Sequence, residues 1–198
     1  MNITASDVMK LREMTGAGMM EAKGALAQAD GNMEKAVDIL RASGAAKMAK
    51  KAERTTAEGR VHGYVHSNGK LAVLVEVMCE TDFVARNEQF VDFCGDLAMH
   101  IAASAPQYVT REQVPSEIVE KERAIIAESL ASENKPAEIM AKIVEGRLSK
   151  FYADVCLMEQ AFVKDDSMTI TQLLEQRITQ IGENIRIGRF TRMQLGVE

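Results

Sequence analysis

The spacing of apolar residues changes near residue 55, and this change limits the possible folds more than any other feature of the sequence. Before residue 45, apolar residues recur every three or four positions, which is the period of a helix with one buried face. From Val61 to Val65 they alternate with other residues, which is the period of a half-buried strand. The sequence therefore predicts helices first and a mixed segment afterwards, within the α+β class of folds.

The first 44 residues predict an N-terminal bundle of three short helices. Thr4 is the expected N-cap of the first helix, with Asp7 in the capping-box position. Gly16-Ala17-Gly18 separates this helix from the second, and Asn32 is the expected N-cap of the third. Ser43-Gly44 predicts the end of the third helix. The buried face of the second helix is expected to consist of Ala22, Ala25, Leu26 and Ala29.

Residues 45–54 predict a helical linker with a solvated basic face, because the segment is rich in Ala and lacks Gly and Pro. Contact with RNA or phosphate is the functional alternative, although no aromatic residue lies between the charges to stack on bases. Residues 55–198 then form a core domain. The charged residues of the linker are Lys47, Lys50, Lys51, Glu53 and Arg54.

A β-hairpin is predicted over residues 57–79. Asn68-Gly69, a strong hairpin-turn signal, separates the alternating run from the apolar run 71–78. That second run is long enough for a central strand, and its two apolar sides predict burial on both faces. A last strand around residues 185–190 is expected to pair with the hairpin. The result would be a small antiparallel sheet covered by helices.

Helices are predicted around this sheet. Asn87 is the expected N-cap of one, and residues 116–131 and 169–181 predict two more. A further helix should begin after Pro136, and residues 153–168 predict irregular structure or a short strand. The buried side of the helix after Asn87 is expected to consist of Phe90, Phe93, Cys94, Leu97 and Ile101.

No constellation typical of an enzyme occurs in the sequence. It contains neither a phosphate-binding glycine loop nor the motifs of zinc proteases and serine hydrolases. His62 and His66 would lie about 13 Å apart along one strand, too far to share a metal ion. His100 is expected to be a partly buried helix residue. We therefore expect no catalysis of bond chemistry, no metal and no cofactor.

The cysteines and the overall charge indicate where such a chain works. Its three cysteines form no close pair, which fits a reducing compartment. The net charge of −5 does not favour broad nucleic-acid binding. The N-terminus does not read as a signal or transit peptide, and no apolar stretch approaches the length of a membrane span. We expect a cytoplasmic protein without direct contact to membrane or nucleic acid.

The segment after the hairpin, residues 79–87, combines charged residues with one aromatic side chain. Glu80, Asp82 and Arg86 indicate a solvent-facing segment, yet Phe83 lies in its middle. An exposed Phe beside an Asp would suit an anchor at a protein interface. The alternative is that Phe83 folds back onto the core, and the residues alone leave both open. His66, next to the hairpin turn, is either a partner contact or simply exposed.

Two stretches resemble the signatures of the translation elongation factor Ts family. One runs from Glu76 to Arg86 and contains Thr81-Asp82-Phe83, and the other runs from Leu11 to Leu26. The departures are Gly24, where the family usually has a basic residue, and Met78, where Asn is common. Further similar stretches follow in family order at 98–103, 143–147 and 160–163.

The resemblance implies a guanine-nucleotide exchange factor for elongation factor Tu. Asp82 and Phe83, with Thr81 before them, match the element that family members insert between helices of Tu, which disturbs the magnesium and phosphate subsites. The N-terminal helices resemble the family's ubiquitin-associated-like domain, which docks on the nucleotide-binding domain of Tu. Arg12, Met19 and Met20 match contacts there by position.

The length of the chain leaves room for one core where long family members have two. Short members are similar in this respect and form homodimers, so we expect a homodimer and a 2:2 complex with Tu. A helical adaptor that binds ubiquitin-like proteins or RNA is the alternative of another class, and an enzyme comes third. The adaptor alternative predicts no preference for Tu in a pull-down.

Overall fold

The computed structural model describes residues 3–130 and 136–197 and confirms an α+β fold. Contacts divide the chain into two compact units. One consists of Met1–Met99 with Thr171–Glu198, and the other of His100–Ile170. The first unit holds three N-terminal helices and a three-stranded antiparallel sheet, and the second holds a helix pair and a two-stranded hairpin.

The N-terminal helices are α1 (Ala5–Thr15), α2 (Met19–Gln28) and α3 (Met33–Lys51). The capping box of α1 is present as predicted, because Thr4 Oγ1 accepts from the Asp7 amide at 3.2 Å and the Asp7 carboxylate accepts from the Thr4 amide at 3.0 Å. Asn32 Oδ1 caps α3 by accepting from the Lys35 amide at 3.0 Å. The helices enclose a buried cluster of Val8, Leu11, Ala22, Ala25, Leu26, Ala29 and Ala36.

The predicted end of the third helix at Gly44 is wrong, because α3 continues to Lys51. One glycine costs a helix only about 1 kcal/mol, and the Ala- and Lys-rich residues after it are strong helix formers. The extension also has a tertiary anchor. Lys51 Nζ donates to the carbonyl oxygens of Gly182 at 2.6 Å and Ile178 at 3.3 Å.

The sheet has the strand order β1–β2–β5, with β1 (Glu58–Val65), β2 (Leu71–Cys79) and β5 (Arg186–Gln194). The predicted hairpin, central strand and last strand are therefore confirmed. Gly69 takes a φ of 67° in the turn. Burial of β2 on both faces is not observed, since Val73, Val75 and Val77 are buried but Leu74 is 56 % exposed. A single layer of helix covers only one face of so small a sheet.

The first unit also contains the long helices α5 (Glu88–Ser104) and α8 (Ile170–Ile181). Helix α5 begins after Asn87, whose Oδ1 accepts from the Gln89 amide at 2.8 Å, and continues into the second unit. Helix α8 ends at Gly182, which has a φ of 90°. All five residues of the predicted buried side of α5, Phe90, Phe93, Cys94, Leu97 and Ile101, are fully buried.

The second unit contains the helix pair α6 (Ser116–Leu130) and α7 (Ala137–Val155). Ile126, Leu130 and Leu148 are buried between them. Pro136 is the N-cap of α7, as expected for a residue that cannot donate an amide hydrogen. Helix α7 extends three residues into the segment predicted to be irregular, and the short strands β3 (Ala161–Phe162) and β4 (Asp165–Thr169) follow.

His100 is fully buried in this unit rather than partly buried as expected. Its Nδ1 accepts from the Val163 amide at 3.2 Å, so Nε2 carries the proton and donates to Gln160 Oε1 at 3.0 Å. Gln160 in turn donates to the Asp154 carbonyl at 2.8 Å. His100 is therefore a core residue that holds β3 to the end of α7.

Candidate partner-binding site

The Thr81-Asp82-Phe83 segment forms the start of α4 (Asp82–Ala85), a helix of a single turn. Thr81 is its N-cap, with Oγ1 accepting from the Val84 amide at 3.4 Å. Ala85 on the inner side is buried, whereas Phe83 on the outer side is 82 % exposed. The alternative in which Phe83 folds back onto the core is thus excluded.

Asp82 lies beside Phe83 and forms an ion pair with Arg86 one turn later, at 3.0 Å between Oδ2 and Nη2. The Arg86 side chain is largely exposed and the Asp82 side chain is partly exposed, so the pair contributes little to stability, about 0.3–0.5 kcal/mol. The carboxylate of Asp82 can therefore exchange Arg86 for a donor on a partner at small cost.

A carboxylate from the other end of the unit holds the residues before α4. Glu183 Oε2 accepts from the amides of Glu80 at 3.0 Å and Thr81 at 3.1 Å. Glu183 Oε1 accepts from the Thr81 hydroxyl at 2.7 Å. Sequence reasoning missed this residue, because 102 positions separate it from Thr81 and no local pattern connects them.

A second set of contacts surrounds the same turn. Glu80 Oε1 accepts from the Asn184 amide at 2.6 Å and lies 3.5 Å from Arg54 Nη1. Asn184 Nδ2 donates to the Arg54 carbonyl at 2.9 Å. The Cys79 thiol donates to the Thr81 carbonyl at 3.2 Å, and its burial, with the nearby Glu183 charge, raises the pKa of Cys79 to about 11.

The N-terminal candidates lie around the loop between α1 and α2. Arg12, Met19 and Met20 are all exposed, and Met20 is 78 % exposed. Met14 at the end of α1 is also exposed beside this loop, although sequence reasoning did not single it out. The loop contacts α8, because a Cβ on Gly16 would overlap the side-chain amide of Gln180.

His66 lies apart from the α4 turn. It follows β1 at the hairpin turn, where its amide donates to the Leu71 carbonyl at 2.8 Å. Phe83 follows the opposite end of β2, and the two ends of that strand lie about 26 Å apart at roughly 3.3 Å per residue. The exposed His66 ring is 2.9 Å from the Tyr64 hydroxyl through Nδ1. The structure thus brings Thr81, Asp82 and Phe83 together but not His66.

Neither a metal site nor a membrane helix appears in the part of the chain that the structure describes. Residues 3–130 and 136–197 contain no group of His, Cys, Asp and Glu side chains that could hold a metal ion. Within the same ranges, no helix is long and apolar enough to cross a membrane.

Comparison with known proteins identifies the family. The family model described as "Elongation factor TS" matches residues 26–196. The elongation factor Ts of Fervidobacterium nodosum is 54% identical, over 99% of this chain and 100% of its own length. That of Acetivibrio thermocellus is 55% identical, over 98% of this chain and 90% of its own length. That of Nitratidesulfovibrio vulgaris is 54% identical, over 100% of this chain and 99% of its own length.

These matches define a translation elongation factor that acts on another protein. The chain belongs to the elongation factor Ts family. Its role is that of a nucleotide exchange factor for elongation factor Tu in translation elongation, as the resemblance implied.

Proposed function

We propose that the chain promotes GDP release from elongation factor Tu by inserting the Asp82-Phe83 turn between helices of the partner. The insertion would disturb the magnesium and phosphate subsites of Tu. The observation that carries this proposal is the 82 % exposure of Phe83 on a turn that Thr81 and the buried Ala85 fix to the body of the protein. Burying such a side chain in a partner yields about 1.5–3 kcal/mol.

The energetics of exchange set a condition on this insertion. A factor that binds nucleotide-free Tu more tightly than nucleotide-bound Tu weakens nucleotide binding by the same ratio. A typical coupling free energy of about 1–3 kcal/mol changes the affinity for the nucleotide only some 5–150-fold. Direct disturbance of a metal and phosphate site fits the larger effect that rapid release requires.

The second proposed contact involves a ubiquitin-associated-like domain over residues 1–44, joined by the linker 45–54 to the core domain 55–198. Its exposed Arg12, Met19 and Met20 would dock on the nucleotide-binding domain of Tu. The separate buried cluster of α1, α2 and α3 supports this division. Methionine suits such a surface because its flexible thioether adapts to the shape of a partner. His66 would be an additional contact at the hairpin turn.

A homodimer, and hence a 2:2 complex with Tu, is the proposed assembly. Its support is an apolar patch on the uncovered face of the sheet, which we call the open sheet face. Leu74 on the central strand projects there, as do side chains of both edge strands, and their register puts them on one side. The open sheet face consists of Val61, Val65, Leu74 and Met193, all more than half exposed. A second copy would remove this patch from water.

The remaining proposals concern chemistry and place of action. The chain would make and break no covalent bond, act in the cytoplasm and bind neither membrane nor nucleic acid directly. Burial raises the pKa of the Cys79, Cys94 and Cys156 thiols, which fits unreactive cysteines in a reducing compartment. In the basic linker, Lys51 donates to backbone carbonyls and Arg54 lies beside Glu80, so these two cations have protein partners.

Replacing Phe83 by Ala tests the insertion. We expect the maximal rate of labelled GDP release from Tu to fall by about 30-fold or more, which corresponds to about 2 kcal/mol for an interface anchor. Circular dichroism and the unfolding midpoint should stay unchanged, because the side chain is exposed. Ile125→Ala, at a half-exposed position on α6, is the control. An unchanged release rate would refute the role of Phe83.

A further inference from the structure

The carboxylate of Glu183 accepts hydrogen bonds from three donors on two consecutive residues, the Glu80 amide and the amide and hydroxyl of Thr81. Glu183 is half-buried and lies on the turn after α8, outside every segment that the family resemblance singled out. Hydrogen bonds to an ionised carboxylate are about twice as strong as those between neutral groups. The three bonds therefore fix the chain where it enters α4.

Helix α4 needs such an external constraint. It has only four residues, whereas isolated helices shorter than about 12–15 residues are marginal in water. Its N-cap hydroxyl, Thr81 Oγ1, uses its proton for Glu183 and its lone pair for the Val84 amide. Glu183 thus orients the group that starts the helix, and through it the direction in which Phe83 projects.

The turn that carries Glu183 is itself held from the opposite side. Gly182 before it receives Lys51 Nζ on its carbonyl oxygen at 2.6 Å. Asn184 after it donates to the Arg54 carbonyl at 2.9 Å. Lys51 and Arg54 belong to the end of α3 and the residues after it. The support of Glu183 is therefore anchored in the body of the unit and not in a free loop.

We infer that Glu183 is a positioning residue for exchange: its carboxylate holds residues 80–81 so that Phe83 projects in the orientation that enters Tu. The inference rests on the proposed function of Phe83. Glu183 acts through Thr81 and Phe83 and has no required contact with Tu. Its loss should lower the rate of nucleotide release more than the affinity for Tu, since the N-terminal contacts remain in place.

The test measures labelled GDP release from Tu over a range of factor concentrations with the full-length chain. It compares Glu183→Ala, Glu183→Gln, Phe83→Ala and the double variant. We expect Glu183→Ala to lower the maximal release rate by about tenfold or more, as the loss of bonds to a charged group predicts, with a half-saturating concentration within about twofold of the unaltered protein. Glu183→Gln keeps one carbonyl acceptor, so its maximal release rate should lie between those of Glu183→Ala and the unaltered protein. Glu120→Ala, an exposed carboxylate on α6, is the matched control.

The double variant separates positioning from other roles. If Glu183 acts only by orienting Phe83, Glu183→Ala causes no further loss once Phe83 is Ala, so the two effects are non-additive. Hydrogen exchange in the free protein gives a second readout that Tu does not influence. The amides of Glu80, Thr81 and Val84 should exchange faster in Glu183→Ala and Glu183→Gln, while those of β2 keep their protection.

Each outcome decides the matter. A normal release rate in both Glu183 variants, with Phe83→Ala impaired, overturns the inference and leaves the proposed function intact. Positioning is also overturned if the double variant loses release rate by the full effects of both single variants. The same holds if Glu183→Ala raises the half-saturating concentration and leaves the maximal rate unchanged. Either result would indicate an independent contact of Glu183 with Tu. No effect of Phe83→Ala alone refutes the proposed function itself. If Glu183→Ala does not fold, Glu183→Gln supplies the same comparisons.

Discussion

Phe83 and His100 both have surroundings that are unusual for their residue type. Phe83 is a large apolar side chain in water, and His100 is an imidazole without any solvent contact. The first suits a surface that a partner completes, whereas the second is completed within the chain by Gln160 and the Val163 amide. Exposure and hydrogen bonding, rather than residue type, separate a candidate contact from a core residue.

His100 predicts a pH dependence of stability. Burial lowers the pKa of His100 below the 6.5 of an unperturbed imidazole. The hydrogen bond to Gln160 raises the pKa, but by less than burial lowers it. The unfolded chain therefore binds a proton at a higher pH than the folded one. The stabilisation by neutral His100 is complete above pH about 6.5 and is lost as the pH falls toward the folded-state pKa, by up to about 1.4 kcal/mol per pH unit.

Urea unfolding between pH 7.5 and 5.5 measures this effect. His100→Gln should be less stable at pH 7.5, by about 1–3 kcal/mol, because the buried hydrogen-bond network is disturbed. Its free energy of unfolding should not show the decrease at low pH that protonation of His100 causes. His66→Gln, at an exposed position, should keep the decline. An unchanged slope in His100→Gln would show that other groups cause the pH dependence.

At the scale of elements, α3 and α8 support the candidate site in addition to strands β1 and β2, which pack against α4. Helix α3 reaches the C-terminal end of α8 through Lys51, and the turn after α8 carries Glu183 to the start of α4. A single glycine at position 44 predicted a boundary that the tertiary contact of Lys51 overrides. The segment described as a linker is thus partly an extension of α3 with a packing role.

Two truncations test this role of α3. Removing residues 1–44 keeps Lys51 and Arg54, so the remaining chain should fold and only its association with Tu should weaken. Removing residues 1–54 also deletes the bonds of Lys51 and Arg54, and should lower stability by about 1–3 kcal/mol further. Thermal unfolding and the half-saturating concentration in GDP release measure the two effects. An insoluble or molten 45–198 fragment would contradict the proposed domain division.

At the scale of the whole molecule, the open sheet face determines the expected assembly. Three strands and one covering layer leave Leu74 and its neighbours in water, and contiguous apolar patches of this kind are typical of interfaces. The proposed dimer would bury this face, while Phe83 at the end of the hairpin away from His66 would stay available to Tu.

Leu74→Glu tests the dimer. The unaltered chain should sediment as a dimer at micromolar concentration under reducing conditions, and Leu74→Glu as a monomer near 21.8 kDa. In the dimer, the introduced carboxylate would be buried on the open sheet face without an opposite charge, which is costly. In the monomer the same position is solvated, so folding is little affected. Ile125→Glu on α6 should leave the dimer intact. A monomeric unaltered chain, or a dimeric Leu74→Glu variant, would refute the proposal.

Local signals in the sequence determined most of the secondary structure. The Thr4 cap, the Asn68-Gly69 turn, the Asn87 cap and the buried side of α5 depend on residues within a few positions of one another. Helix and strand periods are properties of the same short range, so they can be predicted from one sequence. The signature around Thr81-Asp82-Phe83 likewise lies in one continuous stretch, which is why it indicated the family before any contact was known.

The tertiary structure alone decided which of these residues face water and what holds them. The sequence left open whether Phe83 is buried, and it predicted burial for Leu74, which is exposed. It contained no sign that Glu183 bonds to Thr81, because the two residues meet only when α8 packs beside the hairpin, 102 positions apart in the chain. Exposure and long-range hydrogen bonds depend on how distant segments pack, and the spacing of residues along one segment does not encode that.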